Sequence, residues 1–114
     1  MRVQENNFKG ILVLEIAGRI DFATSYHLDV FLSRAIDKNP LIILDLTETE
    51  YVSSLGLRVL LAGLKKLRTK KGDMKLVSLQ PTVKEVFEIS GLSKIFSIHY
   101  NLSDALDSLE PQTQ

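Results

Sequence analysis

The feature that most constrains the fold is a run of four aliphatic residues, Leu41 to Leu44, which Asp45 and Leu46 close. The run is too short to span a membrane, and it is apolar at every position rather than at alternate positions. This pattern is typical of a central strand that is covered on both faces, as in a parallel sheet. The chain is therefore predicted to fold with helices packed against a sheet.

An amphipathic helix is predicted after this strand, and a pair of serines precedes it. Leucines recur at helical spacing along one face, and charged residues such as Arg58 and Lys65 fall between them. Ser53 and Ser54 lie at the helix N-terminus, where a serine side chain or a phosphate can satisfy the unpaired backbone N–H groups. From the residues alone, a plain N-cap is the favoured interpretation. The leucines are Leu57, Leu60, Leu61, Leu64 and Leu67.

Periodicity and turn residues place the remaining elements. The other predicted strands are Val3 to Phe8, Ile11 to Ala17, Met74 to Leu79 and Ile95 to Ile98. The other predicted helices begin at Ala23 or Thr24, at Pro81 and at a Ser103 cap, and the first two end near Asn39 and Gly91. We expect one α/β domain at residues 1–110, with a mixed sheet of four to five strands, about four helices, and a polar tail at 111–114.

The composition narrows the classes of partner. Fourteen basic and fourteen acidic residues give a formal net charge of zero, so no overall field favours nucleic acid or an anionic membrane. There is no cysteine for disulfides, thiolate catalysis or sulfur-based zinc sites. His27 and His99 have no neighbours at metal-ligand spacing. We expect a protein partner, no metal or cofactor, no membrane insertion and, since no signal peptide is visible, a cytoplasmic location.

Catalytic motifs are sparse in this chain. A triad of Ser54, His27 and Asp21 can be drawn, but no Gly-x-Ser-x-Gly elbow surrounds Ser54. No Gly-x-x-x-x-Gly-Lys loop is present to hold a nucleotide phosphate. We therefore expect a binding protein rather than an enzyme, and a small serine-dependent enzyme is kept as one alternative.

Three segments carry a resemblance to a known family. They are Asp45 to Leu61, the turn Gly18-Arg19-Ile20-Asp21, and Ile89-Ser90-Gly91-Leu92 with the Ile95-Phe96 pair that follows. The sequence resembles STAS domains, the family of anti-sigma factor antagonists and of the cytoplasmic domains of sulfate transporters. The similarity covers nearly the whole chain and implies a STAS-like fold of the antagonist branch.

The resemblance implies specific roles for residues around the serine pair. Tyr51, Val52, Ser54, Gly56 and Leu57 match the antagonist signature, which places the family's phospho-acceptor at Ser54. Ser53 stands where the antagonists usually carry aspartate, and Leu55 stands where they carry serine or alanine. By the same resemblance, the partner-binding residues are Asp21, Thr24, Ser53, Ser54, Leu55, Gly56 and Arg58.

The implied function is partner switching. An antagonist of this kind binds an anti-sigma factor that is also a serine kinase, and so frees the sigma factor. Phosphorylation at Ser54 would end the interaction, and a serine phosphatase would restore it. The alternative is a STAS interaction module that is not phosphorylated and belongs to a transporter-associated or signalling assembly, which the departures at Ser53 and Leu55 favour.

Overall fold

The structure is a computed structural model that describes residues 1–109. It contains one sheet and four α-helices, and the tail expected at 111–114 lies outside the described residues. The strands are β1 Arg2–Phe8, β2 Ile11–Ile20, β3 Leu41–Asp45, β4 Thr49–Val52, β5 Asp73–Val77 and β6 Ser97–His99. The helices are α1 Phe22–Lys38, α2 Ser54–Thr69, α3 Pro81–Ile89 and α4 Leu102–Leu109.

The sheet is mixed, as the sequence predicts. Its order is β1-β2-β3-β5-β6, and β4 pairs in addition with the last part of β2. The hairpin partners β1 and β2 are antiparallel, and every other pair is parallel. Parallel neighbours require crossover connections, which α1, α2 and α3 supply. The α/β fold class is confirmed.

The core lies on both sides of the central strand. On one face, Ile42 and Leu44 join a large cluster that α1, α2 and α3 cover. On the other face, Ile43 packs in a smaller cluster that includes Ala105 of α4. The side chains of Ile42, Ile43 and Leu44 are fully buried. The uniformly apolar run of Leu41 to Leu44 thus has the environment that its pattern predicted.

The structure corrects several details of the sequence analysis. The described residues contain six strands rather than four to five, because β4 was not predicted. Its four residues are half polar, and they become a strand only through pairing with β2. The predicted Ser103 cap is also wrong. The helix α4 already begins at Leu102, and the Asn101 side chain accepts a hydrogen bond from the Asp104 N–H at 2.8 Å.

The buried face of α2 is shifted slightly from the predicted one. Leu60, Leu64 and Leu67 are fully buried, and Leu57 is 8% exposed, but Leu61 is only half-buried. Leu61 was expected to share the buried face fully. Gly63 instead occupies the buried stripe, where α2 approaches the side chains of Ile36 and Met74.

We therefore expect Leu60→Ala to lower the free energy of unfolding by about 2–5 kcal/mol, through lost burial and the cavity left behind. Leu61→Ala in the same helix is the matched control and should cost clearly less, because part of its side chain already faces water. Chemical denaturation of both variants measures the difference. Equal losses in the two variants would contradict the burial described here.

Candidate functional site

The candidate site lies where two neighbouring parallel strands end. Ile20 of β2 is in register with Val52 of β4, and the Ser53 N–H donates to the Ile20 carbonyl oxygen at 2.8 Å. Each strand is followed by one capping residue, Asp21 or Ser53, and then by a helix. The N-termini of α1 and α2 therefore lie side by side at one edge of the sheet.

The pairing of β4 with β2 depends on two features that lie upstream. Gly18 has a φ of +99° at the point where the register shifts, and its N–H donates to the Glu48 carbonyl oxygen at 2.9 Å. The buried hydroxyl of Thr49 donates to the Ile16 carbonyl oxygen at 2.7 Å. The positive φ favours glycine at position 18. Together these bonds hold the short strand β4 in place.

Gly56 permits the close packing of α2 on these strand ends. A Cβ at this position would lie 2.7 Å from the Cγ2 atom of Ile20 and 3.2 Å from the Ile20 carbonyl oxygen. Ile20 is fully buried and fixed by the sheet, so neither atom can move away cheaply. The glycine of the signature is thus required by packing in the first turn of α2.

Asp21 and Thr24 form a complete capping box at the start of α1. The Oδ1 atom of Asp21 accepts from the N–H groups of Ala23 at 3.1 Å and Thr24 at 3.0 Å. In return, the Asp21 N–H donates to the Thr24 hydroxyl at 2.9 Å. Hydrogen bonds from the backbone and the side chain of Thr24 lower the pKa of the Asp21 carboxyl below its usual value. The carboxylate is therefore ionised at neutral pH, and it stabilises the N-terminus of α1 by accepting hydrogen bonds from its first backbone N–H groups.

The two adjacent serines have different environments. Ser53 is the N-cap of α2, and its side-chain oxygen accepts from the Gly56 N–H at 3.1 Å. Ser54 is the first residue of the helix and is exposed, and its hydroxyl makes no hydrogen bond with any of residues 1–109. The hydroxyl of Ser54 is thus free to react, whereas that of Ser53 is engaged.

Exposed apolar side chains surround the two helix N-termini. Leu55 is 37% exposed beside Ser54, while Phe22 and Tyr26, one turn apart in α1, are 81% and 70% exposed. The guanidinium carbon of Arg19 lies 4.3 Å from the ring centroid of Tyr51 on the neighbouring strand. The sequence analysis missed Phe22, Tyr26 and this pair. The spacing of Phe22 and Tyr26, off the buried stripe of α1, was the available signal.

The residues of the triad that can be drawn from the sequence are not joined by hydrogen bonds in the described part of the chain. Among residues 1–109, neither Ser54 nor Asp21 hydrogen-bonds to a histidine. His27 is exposed on α1, and His99 lies in β6 at the far edge of the sheet. Across the same residues, no three histidine or acidic side chains form a group that could hold a metal ion. Within residues 1–109, every helix is too short or too polar to cross a membrane.

Comparison with known proteins identifies the family. The family model described as STAS domain matches residues 2–105. The chain belongs to the STAS domain family. This STAS domain is 37% identical over 99 residues to BtrV of Bordetella bronchiseptica, which is named as a candidate anti-sigma factor antagonist. The match covers 86% of this chain and 85% of BtrV. Over 112 residues it is 30% identical to the anti-sigma F factor antagonist of Paenibacillus polymyxa, with 96% of each chain covered.

A solved structure supports the same assignment. The crystal structure of an anti-sigma factor antagonist from Mycobacterium paratuberculosis superposes with a TM-score of 0.87 and 28% sequence identity. The match covers 95% of this chain and 92% of the other. The STAS-like arrangement expected from the sequence is therefore confirmed, while the roles of individual site residues stay predictions.

Gly56→Ala should destabilise this STAS domain by about 1–3 kcal/mol, because the added methyl group overpacks against Ile20. Gly63→Ala is the matched control in the same helix. Its Cβ would meet the end of the flexible Met74 side chain at 3.1 Å, so helix propensity can offset the contact. Thermal or denaturant melts compare the two variants. A Gly56→Ala protein as stable as Gly63→Ala would refute the proposed close approach.

The two serines should also separate in stability. Ser53→Ala removes the cap of α2 and should cost about 0.5–2 kcal/mol. Ser54→Ala removes an exposed, unbonded hydroxyl and should stay within about 0.5 kcal/mol of the unaltered protein. Denaturant melts in the absence of any partner measure both effects. A larger loss for Ser54→Ala would mean that Ser54, not Ser53, is the cap.

Proposed function

We propose that this STAS domain antagonises an anti-sigma factor that is also a serine kinase, and that phosphorylation of Ser54 ends their interaction. The observation that carries the proposal is the difference between the two serines. Ser54 presents a hydroxyl without a hydrogen-bond partner among residues 1–109 on the surface, while the Ser53 side chain caps the N-terminus of α2. A kinase can therefore modify Ser54 without removing the cap. The antagonist names of the relatives support the general role.

The surface around Ser54 suits a protein partner. Phe22, Tyr26 and Leu55 expose apolar area next to polar groups at the helix N-termini. Partly exposed aromatic side chains of this kind supply much of the binding free energy in protein interfaces. The pairing of β2 with β4 and the hydrogen bond from Ser53 to Ile20 join the two helix ends beneath them. We place the docked anti-sigma factor over this surface, in the cytoplasm where sigma factors act.

The switch follows from charge. A phosphoserine carries about −1.5 to −2 charges at neutral pH. At the start of a helix this charge is compatible with the macrodipole, so the fold is retained. A partner docked over Ser54 would instead have to bury the phosphate, and the loss of water around this charge opposes binding unless the partner supplies a compensating cation. Binding is lost while the domain stays folded, and a serine phosphatase returns it to the binding state. The ATP and magnesium of the reaction belong to the kinase.

The non-switching STAS module is the second candidate, and two observations favour it. Leu55 places a branched side chain directly after the acceptor, where a kinase active site must fit. The cap at position 53 is a neutral serine. In this case the same surface would bind a partner permanently within a transporter-associated or signalling assembly, and Ser54 would stay unmodified.

The test uses each anti-sigma factor kinase that is found encoded near the gene of this protein. Incubation with that kinase and ATP should add one phosphate to the unaltered protein and to Ser53→Ala, and none to Ser54→Ala, as measured by intact mass. Calorimetry should show that Ser54→Ala still binds the partner, since it lacks only a hydroxyl. Ser54→Asp should bind more weakly, although one carboxylate is an incomplete copy of a phosphate.

Phosphopeptide mapping decides between the outcomes. A phosphate on Ser53 would sink the assignment of Ser54. A kinase that binds tightly but modifies no residue would establish the non-switching module instead. A protein that binds no anti-sigma factor and labels with an active-site serine probe would favour the small enzyme.

A further inference from the structure

We infer that Arg58 is the intramolecular counter-ion of the phosphate on Ser54. The inference rests on the proposed phosphorylation site, and it adds a second component to the switch. Arg58 lies four residues after Ser54 in α2, and both residues are exposed. When Ser54 carries a phosphate, the guanidinium of Arg58 folds back along the helix and pairs with the phosphate oxygens.

The geometry of the helix brings the two groups together. Residues at i and i+4 share one face and are separated by about 6 Å along the axis. The Cα–Cβ bonds of a helix tilt toward its N-terminus, so the side chain of Arg58 leans over the first turn. An anion on the N-terminal side of a cation is the favourable order for such a pair. The planar guanidinium can also donate two hydrogen bonds to one phosphate.

Arg58 is available for this role. It makes no ion pair or hydrogen bond with any of residues 1–109, and α2 contains no acidic residue that could compete for it. Two cations near the other end of α2 are engaged. Arg68 lies 3.8 Å from an Asp73 oxygen and donates to the Ile95 carbonyl oxygen, and Lys70 lies 3.5 Å from an Asp37 oxygen.

The nearest charged groups on the adjacent strand end are also engaged. Arg19 lies over the ring of Tyr51, and the Asp21 carboxylate accepts from the first turn of α1. Arg19 could replace Arg58 only by leaving the ring of Tyr51, and the Asp21 carboxylate is an anion, which cannot pair with a phosphate. In α2, the first backbone N–H groups with hydrogen-bond partners are those of Gly56 and Leu57. The N–H groups before them are unpaired among residues 1–109, so a phosphate on Ser54 would lie between those amides and the guanidinium of Arg58.

The pairing makes the switch act in two ways. Phosphorylation adds negative charge to the partner surface, and it also withdraws an exposed cation from that surface. The Arg58–phosphate pair holds the phosphate in one place above the first turn, where a docked partner would have to displace it. Both effects oppose binding, and neither requires α2 to unfold.

The experiment installs phosphoserine at position 54 of the full chain by genetic encoding or by ligation, so that it does not depend on any kinase. The second pKa of the phosphate, about 6 in a free phosphoserine, is followed by ³¹P NMR. Pairing with Arg58 should lower it. Arg58→Gln should therefore raise this pKa by about 0.2–0.4 pH units, the range expected for an exposed pair at this spacing.

Two further variants make the result specific. Arg58→Lys keeps the charge and should retain most of the effect. Lys65→Gln removes another exposed cation of the same helix, about 16 Å from Ser54 along the axis, and it should leave the pKa unchanged. The difference between Arg58→Gln and the unaltered phosphoprotein should shrink in 0.5 M salt, roughly as expected for an exposed pair.

An identical phosphate pKa in the unaltered and Arg58→Gln phosphoproteins would overturn the inference, as would an equal change in Lys65→Gln. Because the phosphate is installed directly, these outcomes say nothing about whether a kinase modifies Ser54. Conversely, if no kinase modifies Ser54, the proposed function fails while the pairing of Arg58 with an installed phosphate is still measured.

Discussion

The close contact between the first turn of α2 and the end of β2 is the constraint on which the site depends. The Ser53 N–H donates a hydrogen bond to the Ile20 carbonyl oxygen. The helix packs so closely on Ile20 that residue 56 has no room for a Cβ and must be glycine. This contact sets the start of α2 against the start of α1. It also requires β4, because Val52 must lie in register with Ile20 before the helix begins.

In this arrangement, the residues that stabilise the fold and the residues to which we assign the proposed switch lie only a few positions apart. Asp21 and Ser53 satisfy the backbone of the two helices, and Gly56 permits their close approach. Ser54 and Arg58 are exposed and their side chains have no hydrogen-bond or ion-pair partner among residues 1–109, and Leu55 is partly exposed. A modification of the outward residues can therefore alter binding without a large cost in stability. In this scheme the phosphate and Arg58 form a local charge pair on a scaffold that does not change.

Much of the fold could be read from the chain because its strongest signals are local. The apolar run of Leu41 to Leu44, the leucine spacing of α2 and the proline at the start of α3 each specify an element on their own. The strand β4 could not be read this way, since its polar residues are satisfied by distant partners such as the Ile16 carbonyl oxygen. The degree of burial of Leu61 also depends on which neighbours pack against α2.

For the site, the sequence by itself determined the order of residues around the serine pair, and its resemblance to STAS domains pointed to Ser54 as the acceptor. Only the structure decided which serine caps the helix, because that depends on the residue at which α2 begins, which the hydrogen bond from the Gly56 N–H to the Ser53 side chain at 3.1 Å shows. It also placed Asp21 beside Ser53 and left Phe22 and Tyr26 exposed. Asp21 and Ser53 are about thirty positions apart in the chain, and parallel strand pairing, a non-local interaction, brings them together.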